Sequence, residues 1–459
     1  MVTTAGWTTL VGATIIDGHG GAPIPDGTVL IHGDRIERVG ARQDVAVPEG
    51  ATVIDATGRF ALPGLIDVHV HYFDWMGELF LAHGVTAVKD VGNDVEWIAT
   101  ASQEVASGAA RGPRIFYTGN GLDVPPPRRD HFIGLESAEM ARQVVPLLAE
   151  KGAIAVKVRE LLPIELLGPI VDEAHRLGLK VTGHLRATDA RQAALAGIDG
   201  LEHASGLVQA TIDPWITVDL DTLEARDIYA KYVAERKAYA LINEHRAREL
   251  VTMLADRDVA LIPTMSGWWR MASDRRDTFA AEDAVYAEDP SLGYVPDDAR
   301  SIWATSKLYQ IDDPDDLTQL GAGYRKIQAL LRHHREAGGP LLAGSDTYLS
   351  VPGLSLQREL LFLVDCGFTP MEAVTIATLD NARFMGQDHD IGSLAAGKMA
   401  DIILLDEDPL AKIENIATVS TVIKGGDTID TSYHADFAVP TPRPVMRRPL
   451  WVERRLAEG

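Results

Sequence analysis

The chain has 459 residues, enough for one large barrel with additions or for two to three ordinary domains. Its hydrophobic fraction of 46%, charged fraction of 24% and 41 scattered glycines are those of a soluble globular protein, and they exclude a fibrous or largely disordered one. A formal net charge of −23 repels phosphate backbones and anionic membranes, so neither nucleic acid nor a membrane is expected as a partner.

The first residues lack the basic start and unbroken apolar stretch of a secretory signal, and no segment reaches 18 consecutive apolar residues, so a cytoplasmic location is expected. Residues 8–58 read as short strands, TTLVGATIID, TVLIHGDRIERVG and ATVIDATGRF, with the turn-forming GHGGAPIPDG after the first. A comparable pattern returns after Gly392 in SLAAGKMADIILLDEDP and VSTVIKGGDTI. The two ends are therefore expected to pair as one β unit, 1–60 with 391–438, beside a domain at 61–390. Residues 439–459, rich in proline and arginine, read as an extended tail.

Between the ends, short β-branched runs alternate with helical stretches, the signature of parallel βαβ units. The strand candidates are GLIDVHVH (64–71), TAVKDV (86–91), RIFYTG (114–119), AIAVKV (153–158), KVTGHL (180–185), GLEHAS (200–205), ALIP (260–263) and LLAGSD (341–346). Eight such strands predict an α/β fold, a closed (β/α)8 TIM barrel, with a doubly wound open sheet as the alternative. Two stretches, 207–242 and 264–320, exceed the repeat. Each follows a strand, on the face where barrel active sites form, and is expected either as a lid or pocket wall or as an oligomer contact. The only cysteine, Cys366, lies in apolar LFLVDCGF and is expected to be a buried, inert thiol.

In GLIDVHVH, His69 and His71 stand two apart on a strand, so both rings point to one side of the sheet and suit a single metal ion. Asp67 shares that face one step deeper, as a partner for the ligands. His184, His203 and Asp346 each close a later strand candidate, at the face where barrel active sites form. Lys157, near the end of AIAVKV, is flanked by apolar residues; buried there, its amine is driven toward the neutral form and can add carbon dioxide to give a bridging carbamate. The duller reading is a lysine reaching to the rim.

These segments resemble the amidohydrolase superfamily over nearly the whole chain. The carriers are ALPGLIDVHVH, AHGVTAVKDVG, VKV, GHL, GLEHASG and AGSD, with the closing TIATLDNARFMG and GSLAAGKMADIILLDEDPL. The closest branch is the imidazolonepropionase-related one, with Xaa-dipeptidases, ochratoxinase-like amidases and phenylurea hydrolases. The resemblance implies a composite β-sandwich from the two ends beside the barrel. It also implies two divalent metal ions: His69, His71 and Asp346 on one, His184 and His203 on the other, and carboxylated Lys157 (N6-carboxylysine) bridging them. Zinc is the default for such donors, and manganese, cobalt and nickel accept them too. Single-metal deaminases in the superfamily carry a glutamate soon after the strand-five histidine; here the sequence reads HLRATDA, which argues for two metals and against deamination.

The expected reaction is hydrolysis of an amide-type C–N bond in a small molecule: an N-acyl amino acid, a dipeptide or an aryl amide. Metal-held hydroxide attacks, and Asp346 moves the proton as general base and then acid. A urea or carbamate, or a lactone or organophosphate ester, suits the same centre, and a non-catalytic binding homologue is the remote alternative. For the substrate pocket the candidates are Trp75, Trp268, Trp269 and Tyr348 as aromatic walls, or else as loop packing. Arg159 and Arg186 are candidates for a substrate carboxylate, or else for ion pairs with Glu160 or Asp189. The resemblance favours a homo-oligomer.

Overall fold

The computed structural model describes residues 6–216, 228–347 and 349–458. The first strands, β1 (Trp7–Ile15), β2 (Ile24–His32), β3 (Arg35–Ala41), β4 (Thr52–Asp55) and β5 (Phe60–Pro63), follow the β-branched runs of the N-terminal sequence. The parallel strands are β6 (Leu65–Val70), β7 (Val85–Asp90), β8 (Arg114–Tyr117), the two-residue β9 (Leu122–Asp123) and β10 (Ile133–Gly134), β11 (Ala155–Val158), β12 (Lys180–Gly183), β13 (Gly200–Glu202) and β14 (Ala260–Ile262). Near the C-terminus come β15 (Ile402–Leu405), β16 (Val419–Lys424) and β17 (Asp427–Ile429).

Both ends of the chain meet in one eight-stranded sheet, ordered β17-β16-β15-β5-β1-β2-β3 with β4 beside β1. Its central seam is antiparallel, with Ile402 opposite Pro63 and Leu404 opposite Ala61. Inward apolar residues, among them Leu10, Ile15, Val29, Ile31, Ile402, Leu404 and Ile423, form a core separate from that of the rest of the chain. Because β5 belongs to this sheet, the terminal unit runs three residues past the expected boundary at residue 60.

The other strands do not form the single continuous ladder expected of a closed barrel. They fall into a six-stranded sheet, β10-β9-β11-β12-β13-β14, and a three-stranded sheet, β6-β7-β8, both parallel. Backbone hydrogen bonds join them at two places. The Ile154 N–H donates to the Tyr117 carbonyl, and residues 340–347 lie between β14 and β6, with bridges Leu261–Leu341 and Val70–Thr347. LLAGSD is thus a bridging segment and not the regular eighth strand its composition predicts. The reason is steric and local: a Cβ on Gly344 would come within 2.6 Å of the His69 Cβ, and Asp346 adopts the left-handed conformation with φ 51°.

Between β6 and this segment two backbone bonds remain, from the Val68 N–H to the Ala343 carbonyl (3.2 Å) and from the Asp346 N–H to the His69 carbonyl (2.9 Å), and side chains reinforce them. Asp67 accepts from the backbone N–H of His69 (3.1 Å) and of Ser345 (3.0 Å) and from the Ser345 hydroxyl (2.5 Å). On the opposite side Asn381 donates to the carbonyls of Ile66 (2.7 Å) and Ala343 (2.8 Å) and accepts from the Ala343 N–H (3.0 Å). This asparagine follows a π-helical turn, Ile376–Asp380, so the TIATLDNARFMG motif closes the gap between β6 and residues 341–346.

The C-terminal tail is irregular up to Pro449 and then forms the helix Leu450–Glu458, correcting the expectation of an extended segment throughout. Its Trp451 and Val452 are buried, and burial of an amphipathic turn outweighs the proline-rich approach. Among the described residues no helix is long and apolar enough to cross a membrane.

Replacing Asn381 with alanine removes three hydrogen bonds to buried backbone groups, each worth about 1 kcal/mol. Asn381→Ala is expected to lose roughly 3 kcal/mol in denaturant unfolding; a loss under about 0.5 kcal/mol refutes the stapling role.

Candidate metal centre and substrate cavity

The ends of the parallel strands bring the histidines together. The rings of His69 and His71 are 5.7 Å apart, those of His69 and His203 4.7 Å, and those of His184 and His203 4.4 Å. Asp346 Oδ1 lies 3.3 Å from His69 Nε2 and 3.4 Å from His71 Nε2, and Oδ2 lies 3.9 Å from His203 Nδ1. Lys157, in β11 opposite Thr182 of β12, is fully buried, with its amine directly against Glu202 Oε2. The other Glu202 oxygen accepts from the Thr182 hydroxyl (2.8 Å) and lies 3.6 Å from His69 Nδ1.

Burial dominates the electrostatics. It holds His69, His71, His184 and His203 well below the ordinary imidazole value, and the charge of Lys157 adds to the effect in each case. Neutral imidazoles keep a lone pair for a cation. The Lys157 amine is lowered in the same way, by burial and then by Arg159. Asp346 is the opposite case: burial pulls it up, but His203, His71, Lys157 and the Trp268 hydrogen bond together hold it below the usual carboxylate value.

The donors fit divalent cations. Both His69 nitrogens are buried without a hydrogen-bond partner among the described residues, and the buried Lys157 amine and Glu202 Oε2 face each other. Ligand atoms of His69, His71 and Asp346, and of His69, Glu202 and His203, lie within 4.8 Å of one another. Four of the six non-glycine residues with left-handed φ among those described, His203, Ala204, Thr264 and Asp346, sit here, the pattern of a strained functional site.

Above this cluster is a cavity of about 600 Å³ walled by His71, His184, His203, Asp346 and Trp268, by Arg128, Arg129, Arg159 and Lys231, and by Glu160, Tyr229, Tyr232, Ile302 and Leu349. Both long insertions contribute walls, although residues 217–227 of the first lie outside the described residues. Arg159 lies over the Phe132 ring at 4.8 Å, and its Nε has no hydrogen-bond partner among the described residues. Of the ion pairs considered for the two arginines, Arg186 makes one with Glu160 (3.6 Å), which also pairs with Lys231 (2.9 Å) and Arg128 (3.4 Å). Against its burial, Lys231, Arg159 and Arg128 bring the Glu160 carboxyl down to about 2. Asp189 instead caps the helix Ala190–Leu195.

The remaining pocket candidates divide. Trp268 reaches the site, but through its indole N–H, which donates to Asp346 Oδ2 at 2.7 Å. Trp75 packs on Trp303 and Trp269 on Tyr239 and Tyr324, both as core. Arg186 lines a smaller neighbouring cavity of about 100 Å³. Tyr348 lies outside the described residues. Cys366 is buried, with its thiol pushed up by burial. Sequence reasoning missed Glu202, Arg128, Arg129 and Lys231; the adjacency of Glu202 to His203 was the only available signal.

An amidohydrolase family model matches residues 278–429. Imidazolonepropionase of Idiomarina loihiensis is 45% identical over 65 residues, covering 14% of this chain and 16% of that protein. The structure of a bottromycin amidohydrolase aligns with TM-score 0.71 at 20% identity, covering 99% of this chain and 91% of that one. A Xaa-Pro dipeptidase with bound methionine aligns with TM-score 0.64 at 18% identity, covering 92% and 100%. At such identities the structural likeness speaks for the fold. The match to the amidohydrolase family model covers about a third of the chain, and the fold over nearly its whole length is similar to that of the bottromycin amidohydrolase.

Imidazoles that stay neutral in the folded state but protonate near 6.5 when unfolded stabilise the protein above that pH and lose this contribution as the pH falls below it. Metal-free protein is therefore expected to lose stability between pH 7 and 5, by about 1.4 kcal/mol per pH unit for each such histidine. In denaturant unfolding, His184→Ala is expected to flatten that slope by one histidine's share; an unchanged slope contradicts a neutral, buried His184.

Proposed function

We propose that the chain is a binuclear metal-dependent hydrolase that cleaves an amide-type C–N bond in a small molecule bearing a carboxylate, an N-acyl amino acid or a dipeptide. In this reading the two parallel sheets and residues 341–347 make one (β/α)8 barrel, and the sheet of the chain ends is the composite β-sandwich beside it. The observation that carries the reading is the convergence of four neutral imidazoles, a buried amine and a carboxylate beneath a cationic cavity.

His69, His71 and Asp346 would hold one cation, His184 and His203 the other, and Lys157, as its carbamate, both. Bound cations, zinc by default, supply Lewis acidity that polarises the scissile carbonyl and acidifies water. The Asp346 carboxylate takes a proton from the attacking water and returns it to the leaving amine. Arg159 and its cationic neighbours orient the substrate carboxylate, a role that neutral ureas and carbamates do not require. The names of the structurally similar bottromycin amidohydrolase and Xaa-Pro dipeptidase agree with an amide substrate.

Protein reconstituted with zinc and bicarbonate is expected to hold about two metals per chain, and Lys157→Ala to hold fewer; equal metal content removes the bridging role of Lys157. Across dipeptides, N-acyl amino acids, their neutral amides and phenylureas, carboxylate-bearing substrates are expected to be preferred. Asp346→Asn should lower kcat by roughly a thousandfold, and Arg159→Met should raise KM by roughly ten- to a hundredfold. Equal turnover of the neutral amides, or an Asp346→Asn variant with near-native kcat, overturns the assignment.

A further inference from the structure

The short turn after β14 touches two of the clustered side chains from one piece of backbone. Thr264 enters it in the left-handed conformation, with φ 47°. Its hydroxyl donates to the Pro263 carbonyl (2.8 Å) and lies 2.7 Å from His203 Nδ1. A hydroxyl has a single proton. With that proton given to Pro263, the Thr264 oxygen must accept from His203, which puts the ring hydrogen on Nδ1 and the lone pair on Nε2.

Four residues on, Trp268 donates its indole N–H to Asp346 Oδ2. The bond ties that oxygen down and leaves Oδ1 facing His69 and His71. Between the two, Gly267 packs on the backbone that carries Asp346: a Cβ there would lie 3.0 Å from the Ser345 carbonyl oxygen. The turn is pinned from outside. Glu359, fully buried on the helix Leu354–Asp365, accepts from the N–H groups of Met265 (2.9 Å) and Ser266 (2.7 Å).

We infer that residues 264–268 act as a bracket: Thr264 fixes which nitrogen of His203 keeps its lone pair, Trp268 fixes which oxygen of Asp346 is tied down, and Glu359 holds both in register. Thr264, Trp268 and Glu359 are positioning residues, and the inference rests on the metal-centre reading above only for its catalytic consequence.

Two readouts keep the inference separate from that reading. In metal-free protein the Trp268 indole N–H resonance, assigned by its loss in Trp268→Phe, is expected to be strongly displaced to low field and to move in Asp346→Ala and in Glu359→Gln. A resonance unaffected by either overturns the bracket, whatever the protein's activity. In cobalt-loaded protein, Thr264→Val is expected to weaken metal affinity roughly ten- to a hundredfold and shift the cobalt absorption bands, with Thr264→Ser restoring both. Trp268→Phe is expected to keep its metal content and to lower kcat at least tenfold with KM within about twofold, as for an interaction made only in the transition state. Native cobalt spectra and affinities in Thr264→Val likewise refute the positioning role, and the conservative Thr264→Ser separates it from a failure to fold. If wild-type protein binds no cobalt, the metal-centre reading fails, and the indole resonance alone decides the bracket.

Discussion

Everything at the centre depends on how residues 341–347 are held against β6. Asp346 must face the two histidines of that strand, yet the backbone carrying it is too close to His69 and too irregular at Asp346 to form a regular ladder. Asp67 and Asn381 add six hydrogen bonds to the two backbone bonds, Val68 N–H to Ala343 and Asp346 N–H to His69, that cross the seam. Both are fully buried, so their bonds are made in a medium where an unmade one is costly. Burial pushes the Asp67 carboxyl up to about 7, with the Asp346 charge adding to it, while its three hydrogen bonds act in the opposite sense. The strand carrying two candidate ligands and the segment carrying the third are thereby fixed to each other by side chains as well as by backbone bonds.

The second constraint is charge. A chain with a formal net charge of −23 gathers Arg128, Arg129, Arg159 and Lys231 around one cavity whose acidic lining residues are Glu160 and Asp346. Glu160 offsets part of that excess by holding Lys231, Arg128 and Arg186, which lets the cations crowd together without the full repulsion of a bare cluster. Arg159 is outside this network and stacks on Phe132, so its guanidinium stays oriented while retaining hydrogen-bonding capacity. Local attraction for an anion therefore coexists with an acidic exterior, which favours a small acidic molecule in the cavity over a polyanion on the surface.

Much of this was legible in the sequence because strand periodicity is local. The two-residue spacing of His69 and His71, and the positions of Lys157, His184 and His203 at the ends of short β-branched runs, follow from a pleat that repeats every second residue. The pairing of the chain ends was likewise readable from matching strand patterns. What was not legible depends on places where the pleat stops. Glu202 and His203, neighbours that a regular strand would send to opposite faces, both reach the centre because the chain turns left-handed at His203 and Ala204. LLAGSD has the composition of a strand, but its path is set by contact with His69. Three tryptophans with equal standing in the sequence were separated only by tertiary packing: Trp75 and Trp269 go into the core, while Trp268 turns its N–H to Asp346.

The two sheets are also mechanically connected. Only Gly64 separates β5 of the terminal sheet from β6, and its N–H donates to the carbonyl of Asp401, the residue before β15. Asp401 in turn pairs with Arg114 at the start of β8 (2.8 Å) and accepts from the Gly425 N–H (2.7 Å). At the other end of β6, the tail reaches back over the loop that follows His71. Arg443 stacks on Phe73 at 4.2 Å, donates its backbone N–H to Asp74 Oδ2 (2.8 Å) and its Nε–H to Asn93 Oδ1 (2.9 Å). Asn93 itself bonds Asp90 and the Tyr72 carbonyl. The strand bearing His69 and His71 is thus anchored at its start by the sheet of the chain ends and at its finish by the C-terminal tail. Segments remote in sequence and absent from the chemistry therefore hold the strand that carries two candidate ligands within a few residues of each histidine.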